Sequence, residues 1–243
     1  FVPTPFRPTP KGVIRWITDN TIFRGATLSG LRLDRVTCIS QTLKDDLLAL
    51  NVPVEASQVI YQGIPIEQFP LKEHPGMLGT PPRLLYAGQL HAYKGVHTLL
   101  EAAGMLKRDH GVQVQLSIAG DGPAEYRERL QKQAADGELD VSFLGRVPHG
   151  ELPALYRDND IFLFTSTWRE PFGLTHLEAM ASGTPVISTC DGGHGEFLRH
   201  EENALVFEKG NARDLAGKIL ALIQNDALRG RLALAGRREV EEH

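Results

Sequence analysis

Apolar and polar positions fall into a regular alternation from about residue 83 onward. Short apolar runs occur at Leu84–Ala87, Val112–Ala119, Val141–Leu144, Ile161–Thr165, Val186–Ser188 and Ala204–Phe207. Their β-branched and aromatic content predicts strands buried on both sides. Between most of them lie stretches with helical spacing: Val96–Arg108, Pro123–Ala135, Gly150–Arg157 and Leu174–Ser182. Strands alternating with helices predict βαβ units, hence an α/β fold with a Rossmann-like parallel sheet and helices on both faces. Two further helices, Ala212–Gln224 and Ala227–Glu242, close the pattern, with Leu215, Ile219, Leu222 and Ile223 of the first facing inward.

Upstream the pattern is sparser. Arg35–Ile39 is rich in β-formers, and Ser40 suits the N-cap of a helix over Gln41–Leu50 with a stripe of Leu43, Leu47, Leu48 and Leu50. Val59-Ile60-Tyr61 reads as another short strand. Residues 1–12 hold Pro3, Pro5, Pro8 and Pro10 and are expected to be extended and irregular, while residues 12–30 show no assignable period. Leu71–Pro82, with Pro75, Gly76, Gly79, Pro81 and Pro82, is expected to be a loop at a domain boundary. The expected division is residues 1–75, the end of one domain and a linker, and residues 76–243, a Rossmann-like α/β domain.

Composition narrows the function classes. The chain has 243 residues, 42% apolar and 23% charged, with a net charge of −4. That balance argues against a nucleic-acid surface, so an anionic ligand must be held locally. Cys38 and Cys190 each fall in an apolar run and are expected to be buried free thiols in a reducing compartment. No run of about 18 apolar residues predicts a transmembrane helix, and Phe1-Val2-Pro3 does not read as a signal peptide.

In a parallel sheet of this kind ligands sit beyond the carboxyl ends of the strands, and the candidate chemistry gathers there. Gly88-Gln89-Leu90-His91-Ala92-Tyr93-Lys94-Gly95 follows the first strand of the regular half, and Lys94 suits a phosphate. Gly120-Asp121-Gly122-Pro123 follows the second, where Gly122 permits close backbone approach to a ligand. Gly145-Arg146-Val147-Pro148 follows the third, where Arg146 and Val147 offer backbone to a nucleoside base. After the fourth, Glu170-Pro171-Phe172-Gly173 leads into a helix from Leu174 whose free N–H groups and dipole form an anion site, with Gly173 admitting a phosphate. Leu174, Leu177 and Ala181 form the apolar side of that helix. Glu170 and Glu178 would repel phosphate alone, but they suit a ligand that also carries hydroxyls, as a nucleotide sugar does. Asp191-Gly192-Gly193-His194-Gly195-Glu196 follows the fifth strand. Asp158-Asn159-Asp160 has a metal-like spacing but precedes a strand and so lies at the opposite edge. No zinc spacing, P-loop or Gly-x-Ser-x-Gly elbow is present.

Glu170-Pro171-Phe172-Gly173, with Glu178 eight positions after Glu170, resembles the Glu-x7-Glu element of the retaining, nucleotide-sugar-dependent "group 1" glycosyltransferases. The Gly88…Lys94-Gly95 loop, the Ala119–Pro123 turn, Ala179–Val186 and Gly192-Gly193…Glu196 match in the same order. Ile39-Ser40 and Ile60–Ile64…Phe69 resemble the segment that joins the two Rossmann-like domains of the GT-B architecture. The resemblance implies the C-terminal, donor-binding half of that architecture and transfer of a hexose from a nucleotide-diphosphate sugar with retention. It implies that Lys94 and the amides at Gly173 and Leu174 bind the donor diphosphate. Glu178 would accept from the ribose hydroxyls, Glu170 would contact the transferred sugar, and Phe172 would line that pocket. No tightly bound metal is implied. The acceptor, a carbohydrate or a lipid-linked sugar, would be bound by an N-terminal domain of which residues 1–70 carry only the last elements, so the chain alone is expected to lack transfer activity. A cytoplasmic protein is expected, with peripheral membrane docking left open. The family commonly has Arg where this chain has Gln89; the amide keeps hydrogen bonding but loses charge and fork geometry, which bears on donor affinity. A sugar-nucleotide 2-epimerase of the same architecture and a non-catalytic binding module are the alternatives.

Overall fold

The computed structural model describes residues 36–242. The readings of residues 1–12, of residues 12–30 and of Arg35 lie outside the described residues. The first elements form a small unit of their own: strand β1 (Thr37–Cys38), helix α1 (Gln41–Ala49) and strand β2 (Gln58–Val59), the strands pairing in parallel. Ser40 caps α1 as its sequence suggests, its Oγ accepting from Leu43 N at 3.0 Å. Ile60 and Tyr61 fall outside β2 and are exposed, correcting the longer strand expected from their β-propensity.

The main sheet contains β3 (Arg83–Ala87), β4 (Gln115–Ala119), β5 (Asp140–Gly145), β6 (Ile161–Phe164), β7 (Val186–Ser188) and β8 (Leu205–Val206). All pairings are parallel, in the order β5-β4-β3-β6-β7-β8. Its helices are α2 (Val96–His110), α3 (Ala124–Asp136), α4 (Leu152–Asp158), α5 (Leu174–Ala181), α6 (Ala212–Gln224) and α7 (Asp226–Glu242). β4 begins three residues later than its apolar run, because the Val112 N–H closes the end of α2 by donating to Leu106 O at 3.0 Å.

Strand side chains alternate between two buried layers, as the two-residue period requires. Leu84 and Tyr86 of β3 with Ile161 and Leu163 of β6 pack under α2, α3 and α6. Leu85, Ala87, Phe162 and Phe164 face the other way, against Tyr156 of α4 and Leu177, Ala179, Met180 and Ala181 of α5. In α6, Leu215, Ile219 and Leu222 are fully buried and Ile223 half-buried; each buried aliphatic contributes about 1.5–3 kcal/mol. The segment before β3 is tied to this body. Phe69 is buried in the second layer, Lys72 N donates to Ser182 O at 3.2 Å, and the buried Arg229 donates to Gly76 O at 2.6 Å. Cys38 is buried, but Cys190 is exposed. The apolar run ends with β7 at Ser188, so Cys190 falls in the following loop.

Candidate functional site

The order of the sheet fixes where a ligand belongs. From β3 the chain moves outward through β4 to β5, then returns to place β6 on the other side of β3. Neighbouring connections therefore diverge between β3 and β6 and leave a crevice beyond their carboxyl ends. Lys94 comes from the loop after β3 and Glu170 from the loop after β6. They meet across the crevice, with Lys94 Nζ 2.6 Å from Glu170 Oε1. Ser166 Oγ donates to the same oxygen at 2.6 Å.

Backbone contacts hold the two loops together. Thr165 Oγ1 donates to Lys94 O at 2.8 Å and Thr167 N to Tyr93 O at 2.8 Å. Gly95 has φ +70°, and a Cβ there would stand 2.0 Å from Thr165 O, so only glycine allows this approach. The loop after β7 joins from the other side: Glu170 N donates to Asp191 O at 3.1 Å and Gly193 N to Glu170 O at 2.7 Å.

Two adjoining cavities open along the crevice. The first, about 290 Å³, is lined by Lys94, Glu170, Phe172, Gly173, Leu174 and Thr175, with Ile39 and Gln62 from the upstream unit. The second, about 480 Å³, is lined by Gln89, Asp121, Arg146, Val147, Tyr156 and Glu178. Ala87, Gly88 and Thr175 line both. Ten of the residues singled out in the sequence thus come together, and Gly122 does not. A Cβ on Gly122 would stand 2.0 Å from Leu90 O, so its glycine serves the packing of two strand-end loops. Leu174, on the apolar side of α5, is 37% exposed because it opens the helix beside the crevice, where it borders the first cavity.

Helix α5 carries the rest of the electrostatics. Gly173 precedes it with φ +144°, and a Cβ there would lie 2.7 Å from His176 Nδ1. Glu178 is buried one turn into α5, and Tyr156 donates to its Oε2 at 2.8 Å. Burial raises the Glu178 pKa, while the Tyr156 bond and nearby His149 pull it down less strongly. Beneath Gly173, His176 and His194 stack with centroids 5.0 Å apart, both fully buried. Burial holds the pKa of each below the usual histidine value, His176 well below, and the neighbouring His194 adds to the lowering at His176. Ser188 Oγ donates to Thr189 O, so His176 Nε2 must donate to Ser188 Oγ at 2.8 Å; His194 Nε2 donates to Thr189 O at 2.9 Å.

Sequence reasoning missed Tyr156, Thr175, Ile39 and Gln62. Tyr156 could have been suspected, since a tyrosine within an apolar helix stripe needs a partner for its hydroxyl. Asp160 lies at the amino edge, where Oδ2 accepts from Gly79 N at 3.0 Å and Arg83 N at 2.7 Å. Among the described residues no group of three or more His, Cys, Asp or Glu is arranged to hold a metal, and no helix is long and apolar enough to cross a membrane.

Known proteins share the sequence pattern and the fold. The amylovoran biosynthesis glycosyltransferase AmsK of Erwinia amylovora is 32% identical over 210 residues, covering 84% of this chain and 51% of AmsK. The chain spans about half the length of the curated relatives it matches. The crystal structure of Anabaena HepE in complex with UDP-glucose superposes with a TM-score of 0.77 at 25% identity, covering 85% of this chain and 58% of HepE. The C-terminal domain of the group 1 glycosyl transferase LpcC from Francisella tularensis superposes with a TM-score of 0.66 at 26% identity, covering 74% of this chain and 97% of that domain. The Rossmann-like sheet is that of the GT-B neighbours. The family model described as "Glycosyl transferases group 1" matches residues 69–239, and the chain belongs to that family.

Proposed function

We propose that the chain is the donor-binding part of a hexosyltransferase that uses a nucleotide-diphosphate sugar and retains the configuration of the sugar. The observation that carries this reading is the Lys94–Glu170 contact at the switch point, at the edge of two joined cavities. The first cavity would take the sugar and diphosphate and the second the nucleoside. Lys94 and the amides at Gly173 and Leu174 would hold the diphosphate, with no tightly bound metal in the reading. The base would lie by Arg146 and Val147, and the ribose hydroxyls would donate to Glu178. Glu170 would accept from hydroxyls of the hexose beside Phe172.

As the glycosidic bond breaks, the sugar becomes cationic and the diphosphate gains charge. Lys94, the amides and the start of α5 would stabilise the diphosphate, and its oxygen would take the acceptor proton as the acceptor attacks the same face. The acceptor, a carbohydrate or a lipid-linked sugar, would be bound by further surface of the whole protein, which we place in the cytoplasm or at its membrane face. AmsK and HepE support the transferase reading by their names and ligand; the comparisons lend none to a 2-epimerase. Thermal unfolding with UDP, GDP or ADP at millimolar concentration tests the donor site. A ligand at about 100 times its Kd adds about 2.7 kcal/mol and raises the midpoint. No shift with any of the three would sink the reading.

A further inference from the structure

Helix α1 has no fully buried residue, yet it is held against the loops of the first cavity. Its contacts are polar and bridge distant parts of the chain. Glu196, in the loop after β7, accepts from the first two amides of α1: Thr42 N at 2.6 Å and Gln41 N at 3.1 Å. These amides have no partner within the helix, and a carboxylate there also meets the positive end of the dipole. Ser40 Oγ donates to Pro171 O at 2.6 Å, inside the turn between Glu170 and Phe172. Arg169 donates to Asp46 of α1 at 2.7 Å and to Asp191 at 2.8 Å. Beyond β2, the Tyr61 ring stacks on Phe172 with centroids 6.0 Å apart. Tyr61 also faces the Glu196 carboxylate, which pushes its hydroxyl pKa up.

Glu196 borders neither cavity. What it fastens does: Ile39 lies just before α1, Gln62 just after Tyr61, and both line the first cavity, as Phe172 does. With so little apolar packing under α1, charge-assisted bonds of this kind decide where that wall stands. We propose that Glu196 is a positioning residue for the sugar half of the donor, setting the wall formed by Ile39, Gln62 and Phe172 by holding α1 and Tyr61 in place. This rests on the donor reading above.

The two halves of the donor separate the proposal from a general loss of stability. In the full chain, Glu196→Ala should leave UDP affinity within about twofold and weaken UDP-glucose by about fivefold or more. Hydrogen exchange at the Gln41 and Thr42 amides should quicken in the same variant. Glu196→Gln, which keeps an acceptor oxygen but not the charge, should fall between. Equal losses for UDP and UDP-glucose, or unchanged exchange at Gln41 and Thr42, overturn the proposal. Should Glu196→Ala fail to fold, Arg169→Gln removes the second fastening and should weaken UDP-glucose selectively. If the wild-type chain binds neither ligand, the donor reading fails and takes the positioning role with it. The exchange measurement would then report only on the fastening of α1.

Discussion

The two cavities at the switch point each contain a carboxylate from one short stretch of chain, and they treat it differently. In the first, Glu170 Oε1 accepts from an ammonium and from the Ser166 hydroxyl, both at 2.6 Å. In the second, Glu178 is buried against the uncharged Tyr156 hydroxyl, and burial raises its pKa. A carboxylate balanced by a cation suits a place where charge must move between ligand and protein. One with a single neutral donor has acceptor capacity left for ligand hydroxyls. Equal residues eight positions apart are therefore expected to serve different halves of a ligand.

The most severe way to break this contrast is to remove the cation. On the proposed donor reading, Lys94→Met leaves Glu170 without its charged partner and removes a charge-assisted bond to the diphosphate, so affinity for the nucleoside diphosphate that binds, with UDP as the first probe, should fall about 10- to 100-fold. Unchanged affinity by calorimetry would move the diphosphate elsewhere. The two carboxylates can then be set against each other. Glu178→Gln should weaken UDP by about tenfold, through the ribose. Glu170→Gln should leave UDP within about threefold and remove much of the extra affinity for UDP-glucose. The opposite ranking would exchange the assignments of the two cavities.

Much of this site was legible because it is built at strand ends. The alternation of apolar runs gave the parallel sheet, and the carboxyl-end rule then collected Lys94 from the loop after β3 with Glu170 and Glu178 from the loop and helix after β6. What the pattern could not give was strand order. That Lys94 and Glu170 touch depends on β6 returning beside β3, a tertiary fact with no local signal. Ile39 and Gln62 were missed for the same reason, since contacts between distant parts of the chain, not a local period, bring them to the cavity. Cys190 was misread because it lies just beyond the end of a strand, where burial depends on what the next loop covers. The Leu71–Pro82 stretch was rightly a loop, but its proline and glycine content hid its ties to Ser182 and Arg229.

Below the crevice a smaller effect follows from the two histidines. Both are buried with pKa values below 6.5. Between pH 6.5 and the lower folded values the unfolded chain binds more protons, so stability rises with pH there. It should be fully present above pH 6.5 and decline as the pH falls. The loss should be visible between pH 7 and 5.5, where the unfolded histidines take up protons that the buried rings disfavour. Urea midpoints at the two values measure it, and a flat profile would mean that the buried rings take up protons in place. Because His176 lies under Gly173, loss of this packing should reach the first cavity before the second.

Tyr156→Phe is the mildest test, and it addresses the second cavity alone. It removes one hydrogen bond and keeps the ring, which packs on Phe69 and Phe162. The stability cost should be about 1 kcal/mol. Its larger consequence is for Glu178, because the Tyr156 hydroxyl is what opposes burial. Without it the carboxyl pKa should climb further. The folded protein then binds more protons than the unfolded one between the ordinary carboxyl value and that raised value, so this group's contribution to stability is present at low pH and lost as the pH rises through the window. If Glu178 accepts ribose hydroxyls only when ionised, UDP binding in Tyr156→Phe should weaken towards lower pH from a higher starting point than in the wild type, and recover at neutral pH. An equal loss of UDP affinity at every pH would mean that the Tyr156 hydroxyl acts by holding the shape of the second cavity, not through the charge of Glu178.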